Sequence, residues 1–279
     1  MRESPLQFNA VLALTKRELV RFLRQRTRVI GAVGQPVIFW ILFGAGLRSS
    51  FKAPSWADGL PHTVSYQEYF LPGVAALIVL FTAIFSTISI IEDRREGFLQ
   101  GVLVAPVSRL SIVLSKLAAG TLLSIFQASL FLLIGPLIAA IGLGAPVDVT
   151  WSVTRMLMAT VFLMLIAAEL TALGFIIAWP MNSTQGYHAV MSIFLMPMWL
   201  VSGAFFPGGE SGWLYWLIRV NPLTYGVAGL RRLLYDQSLP VTAELPSMLA
   251  CVSVTALATL TFTLLAAWLV SRQSVRNVT

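Results

Sequence analysis

Residues 69–109 read YFLPGVAALIVLFTAIFSTISIIEDRREGFLQGVLVAPVSR. The first part, 69–91, carries no charged residue and is long enough to cross a hydrocarbon core about 30 Å thick, which takes about 20 residues. At Glu92 the composition inverts, and Glu92, Asp93, Arg94, Arg95 and Glu96 are five consecutive charges in a chain that is only 11% charged. A charge at the bilayer centre costs roughly 2.5–3.5 kcal/mol on insertion scales, so the cluster marks the point where the chain leaves the membrane. It is expected at the protein surface, and it is the strongest lead to function.

The same contrast runs through the whole chain. Of its 279 residues 57% are hydrophobic, and the mean hydropathy is +0.81. Such values belong to polytopic membrane proteins rather than to a soluble core. The net charge of +7 reflects basic residues collected in loops, and no basic patch interleaved with aromatics suggests nucleic acid. The single cysteine, Cys251, excludes an intrachain disulfide and a multi-cysteine metal site. The first apolar run begins near Val29 and has the length of a retained span rather than a cleaved leader.

Six hydrophobic segments are expected to cross the membrane, at about 29–47, 69–91, 110–143, 154–179, 187–206 and 247–271. The third is overlong, and Gly135-Pro136 is expected to kink it. Thirteen Lys and Arg fall in the 1–28, 92–116 and C-terminal segments, against six in the alternate loops. The positive-inside rule then places both termini and Glu92–Arg109 in the cytoplasm. No repeat or linker divides the chain, so 1–279 is read as one all-α membrane domain.

Two segments outside the spans have character of their own. On a helix over 5–28, Phe8, Leu12, Leu19, Phe22 and Leu23 share one arc, while Arg17, Arg21, Arg24 and Arg28 occupy the opposite one. That pattern fits an interfacial helix with its basic face toward lipid headgroups or a cytoplasmic partner. In the Pro207–Pro246 loop, Gly208-Gly209 is expected to break the chain before the short aromatic stretch Trp213–Ile218. A second helical stretch, Leu223–Tyr235, follows a turn at Asn221-Pro222. Two apolar half-helices joined at a proline, each too short to span, suggest a re-entrant or surface-lying pair.

Several chemistries have no sequence support. No G-x-x-x-x-G-K-[ST] surrounds Lys16, Lys52 or Lys116, no H-E-x-x-H or G-x-S-x-G is present, and His62 and His188 fall on opposite sides of this topology. Catalytic and metal-ligating sets are therefore not expected. Glu169 is a lone carboxylate deep in a span. It is either an ion-coupling site or a structural group that is protonated or hydrogen-bonded to a neighbouring helix. A transporter-like body without a visible energy source points to a partner.

Between the charge cluster and the third span, Leu99, Val102, Leu103 and Pro106 recur at helical spacing. Glu96 suits a helix start and Pro106 ends the segment. This describes either a short helix that docks into a groove on a soluble protein or a solvated loop with interfacial apolar residues.

Glu92–Gly97 followed by Val102–Arg109 closely resembles the cytoplasmic signature of ABC type-2 permeases, the membrane subunits of ABC exporters in the drug-resistance and nodulation-type lipo-oligosaccharide group. Asn221-Pro222-Leu223-Thr224-Tyr225, with Arg231 downstream, resembles the family's last external loop. The resemblance covers essentially the whole chain. It implies that Glu92, Arg94, Arg95, Glu96, Gly97, Leu99, Leu103, Pro106 and Arg109 belong to a coupling helix docked on a separate P-loop ATPase. Phe98 departs from the small polar residue the family often has there. The resemblance also implies a dimer of permeases with two ATPases, and ATP and Mg on those ATPase subunits, with no cofactor in this chain. The resulting expectation is a non-enzymatic plasma-membrane permease subunit of an ATP-driven exporter, moving an amphipathic drug, lipid or lipid-linked glycan. The rivals are a membrane scaffold that recruits a cytosolic partner and an ion-coupled transporter using Glu169.

Overall fold

The computed structural model describes residues 7–47, 64–143, 147, 149, 152–205, 212–235 and 245–272. The regular structure among them is helical: α1 (Phe8–Arg24), α2 (Arg26–Gly46), α3 (Tyr66–Arg95), α4 (Phe98–Val104), α5 (Arg109–Ile138), α6 (Val153–Ala178), α7 (Thr184–Trp199), α8 (Gly212–Val220), α9 (Pro222–Leu234) and α10 (Met248–Arg272). Among the described residues six stretches are long and apolar enough to cross a membrane: Arg26–Gly46, Tyr66–Arg95, Arg109–Gly142, Val153–Ala178, Thr184–Ala204 and Met248–Arg272. They reproduce the six expected segments to within a few residues. His62, Gly208, Gly209 and the C-terminal tail lie outside the described residues.

The expected kink at Gly135-Pro136 moves. Helix α5 runs through Pro136 to Ile138, and the departure comes at Ala139–Leu143, a wide π turn. Helix α7 repeats the arrangement, with Pro197 inside it and a π turn at Leu200–Ala204. In each case a ring without an N–H loosens the ladder, and the strain is released a turn later.

Helix α3 is apolar all round and forms the centre, with Val74 to Leu80 fully buried. It packs against α2, α5, α6 and α7. Between apolar helices in lipid there is little hydrophobic drive to associate, so close approach at small residues matters. A Cβ at Gly120 of α5 would stand 2.5 Å from Thr171 Cγ2 of α6, and one at Gly73 of α3 would stand 2.6 Å from the Ala204 carbonyl oxygen. Hydrogen bonds also tie α3 to α5 and to α7: Thr82 donates to Gln127 at 2.9 Å, and Thr87 meets the Tyr187 hydroxyl at 2.6 Å.

The helices present two ends. α1, α4 and the α6–α7 turn gather at one, called here the α4 end. α8, α9 and the two π turns gather at the other, the α9 end.

Candidate functional site

At the α4 end the chain leaves α3 through Gly97, whose φ of 76° is left-handed backbone. A side chain there is strained, which explains why glycine follows the charge cluster. The seven-residue helix α4 follows, and the Ser108 hydroxyl caps α5 by accepting from the Ser111 N–H at 3.2 Å.

The cluster residues do not form one exposed surface. Asp93 is 1% exposed. Its carboxylate accepts from Arg17 at 2.7 Å, from Arg21 and from Lys116 at 2.5 Å. Glu92 pairs with Arg21 at 3.0 Å and with Arg28. Glu96 pairs with Arg21 at 3.0 Å, and Lys116 reaches Glu18 at 3.0 Å. Four cations and three anions from α1, α2, α3 and α5, with Glu96 just past the end of α3 as the fourth anion, thus balance in one network. Burial alone would lower the Arg17 pKa, but hydrogen bonding and proximity to Asp93, and then Glu18, hold it above the usual arginine value.

This arrangement corrects the reading of the basic arc. Arg17, Arg21 and Arg28 turn inward to the carboxylates of α3, and Arg24 alone of the four is exposed. Charge-assisted pairs with fixed carboxylates of the same chain outcompete mobile headgroups. Phe8, Leu12 and Leu23 point outward, at 68%, 51% and 52% exposure, whereas Phe22 is buried. The expected single helix over 5–28 is broken at Gln25 into α1 and α2.

Arg94 and Arg95 are likewise engaged within the chain. Arg94 donates to the carbonyls of Met181, at 2.6 Å, and Trp179, and Arg95 donates to that of Asn182 at 2.9 Å. They hold the turn between α6 and α7 beside the cluster. Arg109 donates to the Val270 carbonyl at 2.7 Å, which ties α5 to the end of α10.

The apolar face expected to dock also divides. Leu99 is 2% exposed, and Leu103 packs against the core, so these two hold α4 to the bundle. The outward surface consists of Glu96, Gly97, Gly101, Val104 and Pro106. Phe98, the departure from the family pattern, lies under Arg17, whose guanidinium carbon is 3.6 Å from the ring centre.

At the α9 end, Asn221 caps α9 by accepting from Leu223 N–H at 3.1 Å and donates to the Met198 carbonyl at 2.6 Å. Pro222 occupies the first turn, where its missing N–H is no loss. Leu223 and Thr224 are buried, and the Tyr225 hydroxyl donates to the Arg219 carbonyl at 3.1 Å. Arg231 donates to the carbonyls of Tyr69 at 3.2 Å and Gly203 at 3.1 Å, with its guanidinium 4.1 Å from the Tyr69 ring centre. α8 runs through Arg219 to Val220 and ends directly before Asn221-Pro222.

Sequence reasoning missed Tyr69 and Tyr235. Tyr69 donates to the Gly203 carbonyl at 2.7 Å, and Tyr235 donates to the Glu68 carbonyl. The signal was Pro72 inside α3: proline cannot donate to the carbonyl four residues earlier, which is that of Glu68.

The sequence model of the ABC-2 type transporter family matches residues 9–235, from α1 through the last residue after α9. The chain belongs to the ABC-2 type transporter family. Its relatives include proteins that carry the name transport permease ycf38. That of Cyanophora paradoxa is 28% identical over 230 residues, covering 82% of this chain and 74% of the relative. That of Porphyra purpurea is 26% identical over 221 residues, covering 78% and 72%. The ABC-2 family is a transport permease component, so this chain is a multi-pass membrane protein and not itself an enzyme.

Within this ABC-2 bundle Glu169 is fully buried on α6, and neither carboxylate oxygen has a hydrogen-bond partner among the described residues. His188 is exposed on α7 beside Phe85. Among the described residues no cluster of His, Cys, Asp and Glu could hold a metal ion.

Proposed function

We propose that this chain is the permease subunit of an ATP-driven ABC exporter, moving an amphipathic or lipid-like cargo across the plasma membrane. The α4 end faces the cytoplasm, as the basic bias requires, with both termini on that side. α4 is the coupling helix, α1 lies in the membrane interface on its apolar arc, and α8 and α9 form the re-entrant pair. ATP and Mg reside on a separate P-loop ATPase.

The observation that carries this reading is the two-sidedness of α4. Leu99 and Leu103 anchor it to the bundle, while Gly101, Val104 and Pro106 face outward. Through Phe98 and Arg17 it is joined to the charge network that links α1, α3 and α5. A push on its outer surface is passed to three helices together. Within one copy, α3 fills the centre, whereas Ile38 and Leu42 of α2 and Ile193 and Phe194 of α7 remain exposed. A cargo path between two copies, in a homodimer bearing two ATPases, accounts for that distribution.

The test is purification of the tagged chain with its ATPase, beside Val104→Asp and Gly101→Trp. These outward positions can change without disturbing the core, which Leu103→Asp cannot. A stoichiometric P-loop ATPase lost in both variants is expected. An unchanged complex would remove α4 as its docking site, and a chain that carries no ATPase would favour a scaffold.

The lack of a hydrogen-bond partner for Glu169 among the described residues favours one second reading, ion-coupled transport. It requires Glu169→Gln to abolish vesicle transport while removal of the ATPase does not. The exporter reading expects the reverse.

A further inference from the structure

Helix α1 has an outer face that the charge network leaves unused. Lys16, Val20 and Arg24 follow one another at four-residue spacing and are all exposed, so they form one row along the outside of the helix. Arg26, just past the break at Gln25, is exposed as well. None of these three cations has a hydrogen bond or an ion pair among the described residues. The carboxylates at this end, Glu18, Glu92, Asp93 and Glu96, are already taken by Arg17, Arg21, Arg28 and Lys116. No described carboxylate at the α4 end remains for Lys16, Arg24 and Arg26.

Beside the cationic row runs an apolar strip. At 3.6 residues per turn, Phe8, Leu12, Leu19 and Leu23 fall within an arc of about 60°, and Phe8, Leu12 and Leu23 are exposed. Neighbouring side chains show which way the strip faces. Phe22, on one flank, borders the same small cavity as Phe85 of α3 and Leu123 of α5, which lie well inside their spans. Arg17, on the opposite flank, stacks on Phe98 of α4. Around the helix the order is therefore Phe22, the apolar strip, the cationic row and Arg17. The row follows the boundary between the membrane side and the α4 side. Arg26 opens the first span and stands one turn before Ile30, which is 68% exposed. Hydrocarbon gives way to headgroups at that level.

We propose that the outer face of α1 binds anionic phospholipid headgroups of the leaflet at the α4 end, with Lys16, Arg24 and Arg26 on their phosphates. The apolar strip then sits among the upper acyl carbons, as in other interfacial helices. Lys16 and Arg24 are about 12 Å apart along the helix, so the row engages more than one headgroup. Cations without a counter-charge in the chain select lipids of net negative charge over zwitterionic ones. The inner face of α1 is tied to α3 and α4 through Arg17, so lipid bound outside steadies that connection. The inference rests on the interfacial placement of α1 proposed above, and adds the lipid class and the three residues that select it.

The test places p-benzoylphenylalanine in the full-length chain at Val20, between Lys16 and Arg24, or at Leu264, 60% exposed on α10. Each chain is put into phosphatidylcholine nanodiscs that contain a minority of phosphatidylglycerol. After illumination, the captured lipids are identified by mass spectrometry. The ratio of phosphatidylglycerol to phosphatidylcholine adducts at position 20 should exceed that at position 264 by at least about five-fold, the attraction expected of one basic residue near a surface. Lys16→Gln, Arg24→Gln and Arg26→Gln together should bring the two ratios level. High salt should do the same in the chain that keeps all three cations, a comparison that needs no charge variant to fold. Equal ratios in that chain at low salt would overturn the proposal while leaving α1 in the interface. Absence of lipid adducts at position 20, or capture of an ATPase there instead, would overturn both the proposal and the interfacial placement.

Discussion

Arg17 and Phe98, 81 positions apart, are stacked with the guanidinium carbon 3.6 Å from the ring centre. The same guanidinium grips Asp93 at 2.7 Å. Helix α1 is therefore joined to both α3 and α4 through one side chain. A small polar residue at position 98 would leave only the ionic contact.

Phe98→Leu keeps the apolar volume but removes the ring. A cation–π contact is worth about 0.5–1 kcal/mol at an exposed site, so α1 should open roughly two- to five-fold more often. Hydrogen exchange of the α1 amides should speed up by that factor, with α6 and α10 unchanged. Unaltered α1 exchange would show that the stacking carries no energy.

Asp93→Asn leaves Arg17, Arg21 and Lys116 short of one carboxylate. Breaking a buried ion pair from one side costs about 3–5 kcal/mol, so a large fall in melting temperature is expected. In a Lys116→Met background the same change should cost about 1–3 kcal/mol less, because one of the stranded charges is gone. Additive losses would mean that Lys116 and Asp93 do not depend on each other.

Tyr235→Phe removes the donor that serves the Glu68 carbonyl, at an expected cost of about 1–3 kcal/mol for a buried group left unsatisfied. In a Pro72→Ala background the new backbone N–H can serve that carbonyl, and Tyr235→Phe should then cost much less. Equal losses in the two backgrounds, followed by thermal melting, would separate the tyrosine from the proline.

Gly73→Ala and Gly101→Ala should diverge. At Gly73 the added methyl meets the backbone of Ala204 within 3 Å, and α3 must move away from the π turn. At Gly101 nothing lies within 4 Å, and alanine favours the helix by about 1 kcal/mol. The first variant should be recovered from membranes in much lower yield. The second should be at least as stable as wild type, and any loss of ATPase binding would then report on the outer surface of α4.

The six spans were legible because each obeys a local constraint: about 20 apolar residues must be contiguous, and charges must stop at the boundary. The turn at Asn221-Pro222 was legible for the same reason, since a helix cap is decided by the residue that occupies it. The basic arc of α1 was visible too, but its direction was not. Arg17 and Asp93 are 76 positions apart, and no periodicity says which carboxylate an arginine will meet.

By itself, then, the sequence determined the six apolar spans, their order and roughly where they end, because these follow from composition within one span. Only the tertiary structure decided which members of the charge cluster face inward. Asp93, Arg94 and Leu99 became internal fastenings, while Gly101, Val104 and Pro106 were left outside. The cause is the packing of α1 and α5 around the end of α3. It buries whatever side chains fall between them and satisfies each charge with a partner distant in the chain.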